Sequence, residues 1–183
     1  MTQQQDTLLV MDAEAIRKAI RRIAHEIIER NDDLSRIVMA GIPTRGVEIA
    51  RRIVEHIASI EGVHPGFGIV DVSMHRDDIS TRGRPTTVVP TQLPLELEGR
   101  TIVLVDDVLF TGRSCRAALD AISSFGRPAR IQYAVLVDRG HRELPIRADY
   151  VGKNLPTARN ERIRVRFESL DGTPDSVTVV KPS

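Results

Sequence analysis

A chain of 183 residues, 41% hydrophobic and 28% charged, is long enough for one sizeable core, too short for two ordinary domains, and too apolar for a disordered segment. Its net charge of +1 excludes a uniformly basic nucleic-acid binder, so any such role must come from a local patch. No run approaches the length of a membrane span, and the polar Met1 to Thr7 has none of the features of a signal peptide. The single cysteine, Cys115, allows no internal disulfide, which predicts a reducing cytoplasm. Nothing near it suggests a Cys-His nucleophile, so it is expected to pack in a helix. Among the 26 basic residues only Lys18, Lys153 and Lys181 are lysines. Arginine forks suit phosphate, and a coding bias explains the composition equally well.

In chain order, a loose tail and a short extended piece reach Val10, and Asp12 then caps a helix running to about Arg30. Ile16, Ile20, Ile23 and Ile27 give that helix one apolar face. Lys18, Arg21, Arg22, His25 and Glu29 lie opposite, a solvated face or a basic stripe. Arg36 to Gly41 reads as a buried strand, Gly41 to Gly46 as the turn after it, and Val47 to Ile57 as a helix. Phe67 to Ser73 is another strand candidate. From His75 to Pro94 the chain is polar and broken by Gly83, Pro85, Pro90 and Pro94, a long excursion of the kind that is disordered or functional.

Ile102 to Val105 is an unbroken apolar run, as in a parallel strand covered on both faces. Asp106 and Asp107 fall where that strand is expected to end, a Gly112 turn follows, and Arg113 to Ser124 is helical in pattern. Such a strand, loop and helix start aims unpaired N–H groups outward, which suits a phosphate. Adjacent acids repel a phosphate, so they are assigned vicinal sugar hydroxyls, a divalent cation, or both. Arg130 to Val137 reads as the fourth core strand, followed by the hydrogen-bonding-rich Asp138 to Asn154. Arg162 to Phe167 and Val177 to Val180 are closing strands that alternate imperfectly.

Asp106-Asp107-Val108-Leu109-Phe110-Thr111-Gly112 resembles the phosphoribosyl-diphosphate (PRPP) loop of the type I phosphoribosyltransferases. Gly41-Ile-Pro-Thr-Arg-Gly46 resembles the pyrophosphate loop of the same family. Asp138 to Asn154, with Arg22 to Glu26 and Arg76-Asp77-Asp78, extends the likeness over nearly the whole chain to the bacterial pyrimidine-operon attenuation regulators that double as uracil phosphoribosyltransferases. The resemblance implies an α/β type I phosphoribosyltransferase fold, with a central, mostly parallel sheet flanked by helices. It implies one domain over 1–183, with a flexible lid at about 74–94 carrying Arg76, Arg82 and Arg84. A small hood is implied at about 138–160, with contributions from the N-terminal segment.

In this carry-over Asp106 and Asp107 hold the ribose hydroxyls, and backbone N–H groups of Val108, Leu109, Phe110, Thr111 and Gly112 hold the 5-phosphate. The Thr111 and Ser114 hydroxyls assist, Arg113 lies in the same loop, and Thr44 and Arg45 hold the diphosphate. Asp106, Asp107 and Arg45 are the residues assigned to catalysis. Arg139 and the Tyr150-Val151 backbone form part of a uracil pocket. Mg²⁺ is implied as cofactor, held mainly by PRPP oxygens with help from Asp106 and Asp107. Phe110 stands where hypoxanthine-guanine transferases place an acid able to exchange a proton with a purine, which disfavours purine salvage. Pro43 and His75 depart from the family pattern.

The resemblance further implies binding of a pyrimidine-operon leader mRNA, tightened by UMP, through Arg21 and His25 on the first helix and Arg142, Arg147 and Lys153 in the hood. It implies a homodimer or higher homo-oligomer, in the cytoplasm and off the membrane. The expected function is a UMP-responsive RNA-binding attenuator that also converts uracil and PRPP to UMP and diphosphate. The alternatives are a salvage enzyme without RNA regulation and a regulator with vestigial catalysis.

Overall fold

The computed structural model describes residues 7–73 and 89–182. A five-stranded sheet, all of its neighbours parallel, runs in the order β3-β2-β4-β5-β6. Its strands are β2 (Ile37–Gly41), β3 (Gly66–Ile69), β4 (Thr101–Leu109), β5 (Arg130–Asp138) and β6 (Tyr150–Asn154). A second sheet, antiparallel, pairs β1 (Thr7–Met11) and β7 (Arg162–Arg166) on either side of β8 (Ser176–Val180).

Alternation along β4 decides which helix covers which face. Val103 and Val105 pack into a core with α1 (Ala13–Arg30), α2 (Arg45–Glu61) and the apolar side of the small sheet, including Val165, Phe167 and Val177. Ile102 and Leu104 face α3 (Arg113–Phe125) with Cys115, Ala118 and Ile122. Both faces are therefore buried, which is why these strands read as unbroken apolar runs. Asp12 caps α1 as expected, its carboxylate accepting from the Ala15 N–H at 2.8 Å.

The boundaries differ from the sequence reading in ways that bear on the site. β4 continues through Asp106 and Asp107 to Leu109, because β5 goes on pairing with it as far as Leu109–Asp138. The acids are thus strand residues rather than the start of a loop. β3 ends at Ile69, where Gln92 bridges back to it through reciprocal 2.8 Å hydrogen bonds. Arg36 belongs to a short 3-10 turn, Leu34–Arg36, and α2 begins at Arg45. The segment expected as a hood is divided: β6 is the edge strand of the main sheet, while the second small sheet is made by β1, β7 and β8. Arg76, Arg82 and Arg84, expected in a lid, lie outside the described residues.

The small sheet is tied to α2 by charge as well as by packing. Glu48, 7% exposed, accepts from Arg51 at 3.0 Å and Arg52 at 2.9 Å. Arg52 also pairs with Asp175 and lies over the Phe167 ring at 4.6 Å. The start of α2 meets β4 just as closely, since a Cβ on Gly46 would stand 2.4 Å from the Val105 carbonyl oxygen. Gly46→Ala is expected to push that helix start off β4, lowering stability by about 1–3 kcal/mol. Thermal unfolding checks this.

Candidate active site

The loops after β2, β4, β5 and β6 all leave the carboxyl end of the parallel sheet, the end at which open α/β sheets bind ligands. There they border a cleft of about 1250 Å³. A side recess of about 380 Å³ adjoins it, with Asp107 and Ile163 common to both.

The floor is the end of β4. Consecutive strand residues point to opposite faces, so Asp106 shares the α3 side with Cys115 and Tyr133, while Asp107 turns to the recess lined by Arg45. Asp106 is 7% exposed, and one oxygen accepts from the Asp107 N–H at 2.9 Å. Asp107 accepts from the Val108 N–H at 2.8 Å. The pair presents oxygens on both sides of the strand end, as a ligand with several hydroxyls requires. Burial, and next the Asp106 charge, push the Tyr133 phenol well above its ordinary pKa, so it lines the cleft as a neutral group.

Beyond Leu109 the chain forms the cradle. The carbonyls of Leu109, Phe110 and Thr111 all point away from the cleft: Leu109 accepts from the Arg139 N–H at 3.1 Å, Phe110 from Arg142 Nη1 at 2.9 Å, and Thr111 from the N–H groups of Glu143 and Leu144 at 3.0 and 3.2 Å. A trans peptide holds its C=O and the next N–H antiparallel. The N–H groups of Phe110, Thr111 and Gly112 are thereby turned the other way, and among the described residues none donates to protein. They converge with the first turn of α3, whose positive end adds to their attraction for an anion. Gly112 takes φ 93°, and a Cβ there would meet Ile146 at 3.3 Å, so both backbone conformation and close approach require glycine.

Arg45 stands at the first turn of α2. Its Nε donates to the Val165 carbonyl at 2.6 Å, and Nη2 pairs with Asp171 Oδ1 at 2.7 Å. Thr44 precedes it, exposed and making no side-chain cap, and the Pro43–Thr44 peptide is cis. Arg139 is 6% exposed, donates to Thr157 Oγ1 and the Ala158 carbonyl at 2.9 Å each, and stacks on Phe110 at 4.0 Å. Burial lowers its pKa from the ordinary arginine value. Arg139 and Phe110 thus make a planar, partly apolar wall suited to a flat ring.

Other assigned residues lie elsewhere. Tyr150 and Val151, whose backbone was expected in the base pocket, lie in β6 and are not among the residues that line the cleft. The Tyr150 ring is fully buried against α1, its hydroxyl 3.0 Å from Gln132 Oε1 and 3.3 Å from Asn31 Nδ2. In their place the structure brings Arg162 and Ile163, at the start of β7, to the cleft. Sequence reasoning missed them because imperfect alternation in a closing strand carries no sign of a site. Asp171, which engages Arg45, gave no local signal either. Arg142, assigned to RNA, is half-buried and bonded internally. Arg21, His25, Arg147 and Lys153 are exposed. Arg22 donates to the Gly152 carbonyl, joining the helix of the first two to the strand of the last. His56 of α2 is held below its ordinary pKa by burial, then by the charges of Arg21 and His25.

Among the described residues no group of three or more His, Cys, Asp or Glu could hold a metal ion, and no helix is long and apolar enough to cross a membrane. Asp106 and Asp107 offer hard oxygen donors of the kind Mg²⁺ accepts when a phosphate ligand supplies most of its shell. Cys115 is buried, and its thiol is pushed up to about 12, chiefly by burial.

The sequence profile of the phosphoribosyl transferase domain matches residues 9–170. The chain is 54% identical over 172 residues to the bifunctional protein PyrR of Roseiflexus sp., covering 94% of each, and 55% identical over 174 residues to that of Chloroflexus aurantiacus, covering 95% of each. Among solved structures it resembles a hypoxanthine phosphoribosyltransferase of Trypanosoma cruzi, with TM-score 0.74, 18% identity and coverage of 97% and 96%. It also resembles one of Staphylococcus aureus, with TM-score 0.71, 17% identity and coverage of 96% and 93%. At those identities the structures speak for the fold alone.

Two outcomes follow from the geometry. Tyr150→Phe is expected to cost about 0.5–1.5 kcal/mol of stability by removing the hydroxyl's hydrogen bonds, because Asn31 and Gln132 stay bonded to each other. The KM for nucleobase is expected to stay near its original value, so a large rise in KM without loss of stability would place the Tyr150 hydroxyl, and not only its backbone, at the bound base. The folded protein is also expected to resist thiol alkylation at mildly alkaline pH, with Cys115 labelling only after denaturation. Intact-mass measurement checks this.

Proposed function

The chain belongs to the phosphoribosyltransferase family, in its bifunctional PyrR branch, and on that premise we propose that it converts uracil and PRPP to UMP and diphosphate and binds pyrimidine leader mRNA in response to UMP. The observation that carries this reading is the triplet of N–H groups at Phe110, Thr111 and Gly112, turned into a cleft whose floor holds Asp106 and Asp107. A phosphate on one side and ribose hydroxyls on the other match that division of donors and acceptors.

The reaction breaks the bond from C1 to the diphosphate oxygen of PRPP and forms one from C1 to uracil N1, through a cationic sugar, and the N1 proton leaves to the departing diphosphate or to solvent. The protein's part is position and charge. The 110–112 N–H groups and the start of α3 fix the 5-phosphate, and Asp106 and Asp107 orient the ribose. Their negative charge also lies near the developing cation. Arg45 meets the departing diphosphate from the side recess, where Arg164 and Arg166 also line the wall. It must then exchange the Asp171 carboxylate for a phosphate oxygen. Arg139, Phe110 and Ile163 border the place for the base, and Phe110 offers no proton to a purine. Mg²⁺, held mostly by PRPP with Asp106 or Asp107, would supply charge neutralisation of the diphosphate.

RNA binding is supported by the packing of α1 on β5 and β6. The Arg22 bond to Gly152 ties α1, which carries the exposed Arg21 and His25, to β6, which carries the exposed Lys153. Arg147, exposed on the 138–149 segment, extends the set. We assign the protein to the cytoplasm and to a homodimer or higher oligomer. An assembly would cover Leu8 and Leu9, each 58% exposed on the edge strand β1.

Asp106→Asn and Asp107→Asn are each expected to lower kcat/KM by about 100-fold or more, while RNA binding without nucleotide survives. Arg147→Ala is expected to weaken RNA binding by about tenfold, with turnover retained. Steady-state kinetics, together with affinity for the leader transcript of the chain's own pyrimidine genes at fixed salt, with and without UMP, read all of these. Turnover without RNA binding in either condition would leave a salvage enzyme, and full turnover in both aspartate variants would overturn the assigned ribose contacts.

A further inference from the structure

Arg142, behind the β4–α3 loop, is bonded at every guanidinium nitrogen. Its Nη1 donates to the Phe110 carbonyl at 2.9 Å and to the Gly140 carbonyl at 3.3 Å. Its Nε donates to the Ile146 carbonyl at 2.9 Å, and Nη2 pairs with Asp138. The side chain is 24% exposed. Every nitrogen of the guanidinium is engaged inside the molecule, which leaves little to offer an RNA phosphate. What it joins is specific: the β4–α3 loop at Phe110, the end of β5 at Asp138, and Ile146, the residue before Arg147.

We propose that Arg142 is a positioning residue that locks the phosphate-binding loop to the 138–147 segment, and that nucleotide occupancy reaches the exposed Arg147 through it. The proposal rests on the reading of the chain as a nucleotide-responsive, RNA-binding transferase. Its physical basis is the peptide units of the cradle. A phosphate on the N–H groups of Phe110, Thr111 and Gly112 polarises the units that also carry the Leu109, Phe110 and Thr111 carbonyls, making those oxygens better acceptors. Leu109 and Thr111 pass this to backbone N–H groups of Arg139, Glu143 and Leu144. Phe110 passes it to a side chain, and that guanidinium also holds the carbonyl of Ile146. An occupied loop therefore stiffens the hold on residues 146–147, and an empty loop relaxes it. In the other direction, Arg142 keeps the Phe110 carbonyl turned outward and so keeps the Thr111 N–H in the cleft.

The test uses the full chain with Arg142→Gln and Arg142→Lys. It reads steady-state kinetics in PRPP and uracil, and affinity for the pyrimidine leader transcript with and without UMP. Arg142→Gln is expected to raise the KM for PRPP by about tenfold while kcat changes less. Its RNA affinity without nucleotide is expected to stay within about threefold of the original, with the tightening by UMP abolished. Arg142→Lys keeps the charge but cannot bridge the same acceptors, so it too is expected to lose the tightening. It carries the same readouts if the Gln variant does not fold. Loss of nucleotide-free RNA affinity, with KM and the UMP response intact, would make Arg142 a direct RNA contact and overturn the proposal. So would unchanged values throughout. If the unaltered protein binds no leader RNA, the regulatory reading fails, and the KM for PRPP still decides whether Arg142 positions the loop.

Discussion

The contact between the β4–α3 loop and the 139–144 segment sets the rest of the site. N–H groups that are to meet a ligand must lack protein acceptors, and the backbone must satisfy the carbonyls of the same peptide units elsewhere. Here the Arg139, Glu143 and Leu144 N–H groups and the Arg142 guanidinium take those carbonyls. The loop is thus held open by what lies behind it, and the donors are organised before any anion arrives. Gly112 supplies the backbone angle and the clearance from Ile146 that let the two segments meet.

A second constraint is the continuation of β4 through its two acids. Because the pairing with β5 persists to Leu109, Asp106 and Asp107 are fixed by the sheet rather than carried on a loop, and their alternation directs one to each face. One fold element therefore serves two subsites: Asp106 beside the cradle, and Asp107 beside the recess where Arg45 meets β7 and Asp171. The small antiparallel sheet closes that side. The Glu48, Arg52 and Asp175 chain of charges fastens it to α2, so the arm that bears Ile163 and Asp171 is registered to the helix that bears Arg45.

The same economy explains why basic residues adjoining in sequence serve different ends. Arg139 is stacked on Phe110 and bonded to Thr157 and Ala158, Arg142 is consumed by backbone carbonyls, and Arg147 is exposed. On α1, Arg22 is spent on Gly152 while Arg21 beside it is free to face solvent. Charge at these positions is legible from composition; only the acceptors within reach determine whether it binds the protein's own backbone or something else.

By itself the sequence determined the parallel-sheet class, the helix from Asp12, the pairing of an acidic strand end with a glycine turn, and the family. These signals are local: an apolar run, a cap, and residue types at fixed spacing within one loop. Tertiary structure alone decided that β6 joins the main sheet with Tyr150 in its core, that Arg162, Ile163 and Asp171 come to the cleft, and that Arg142 faces inward. Those outcomes depend on partners far along the chain, such as Asn31 for Tyr150, Arg45 for Asp171 and Phe110 for Arg142, whose proximity no local pattern encodes.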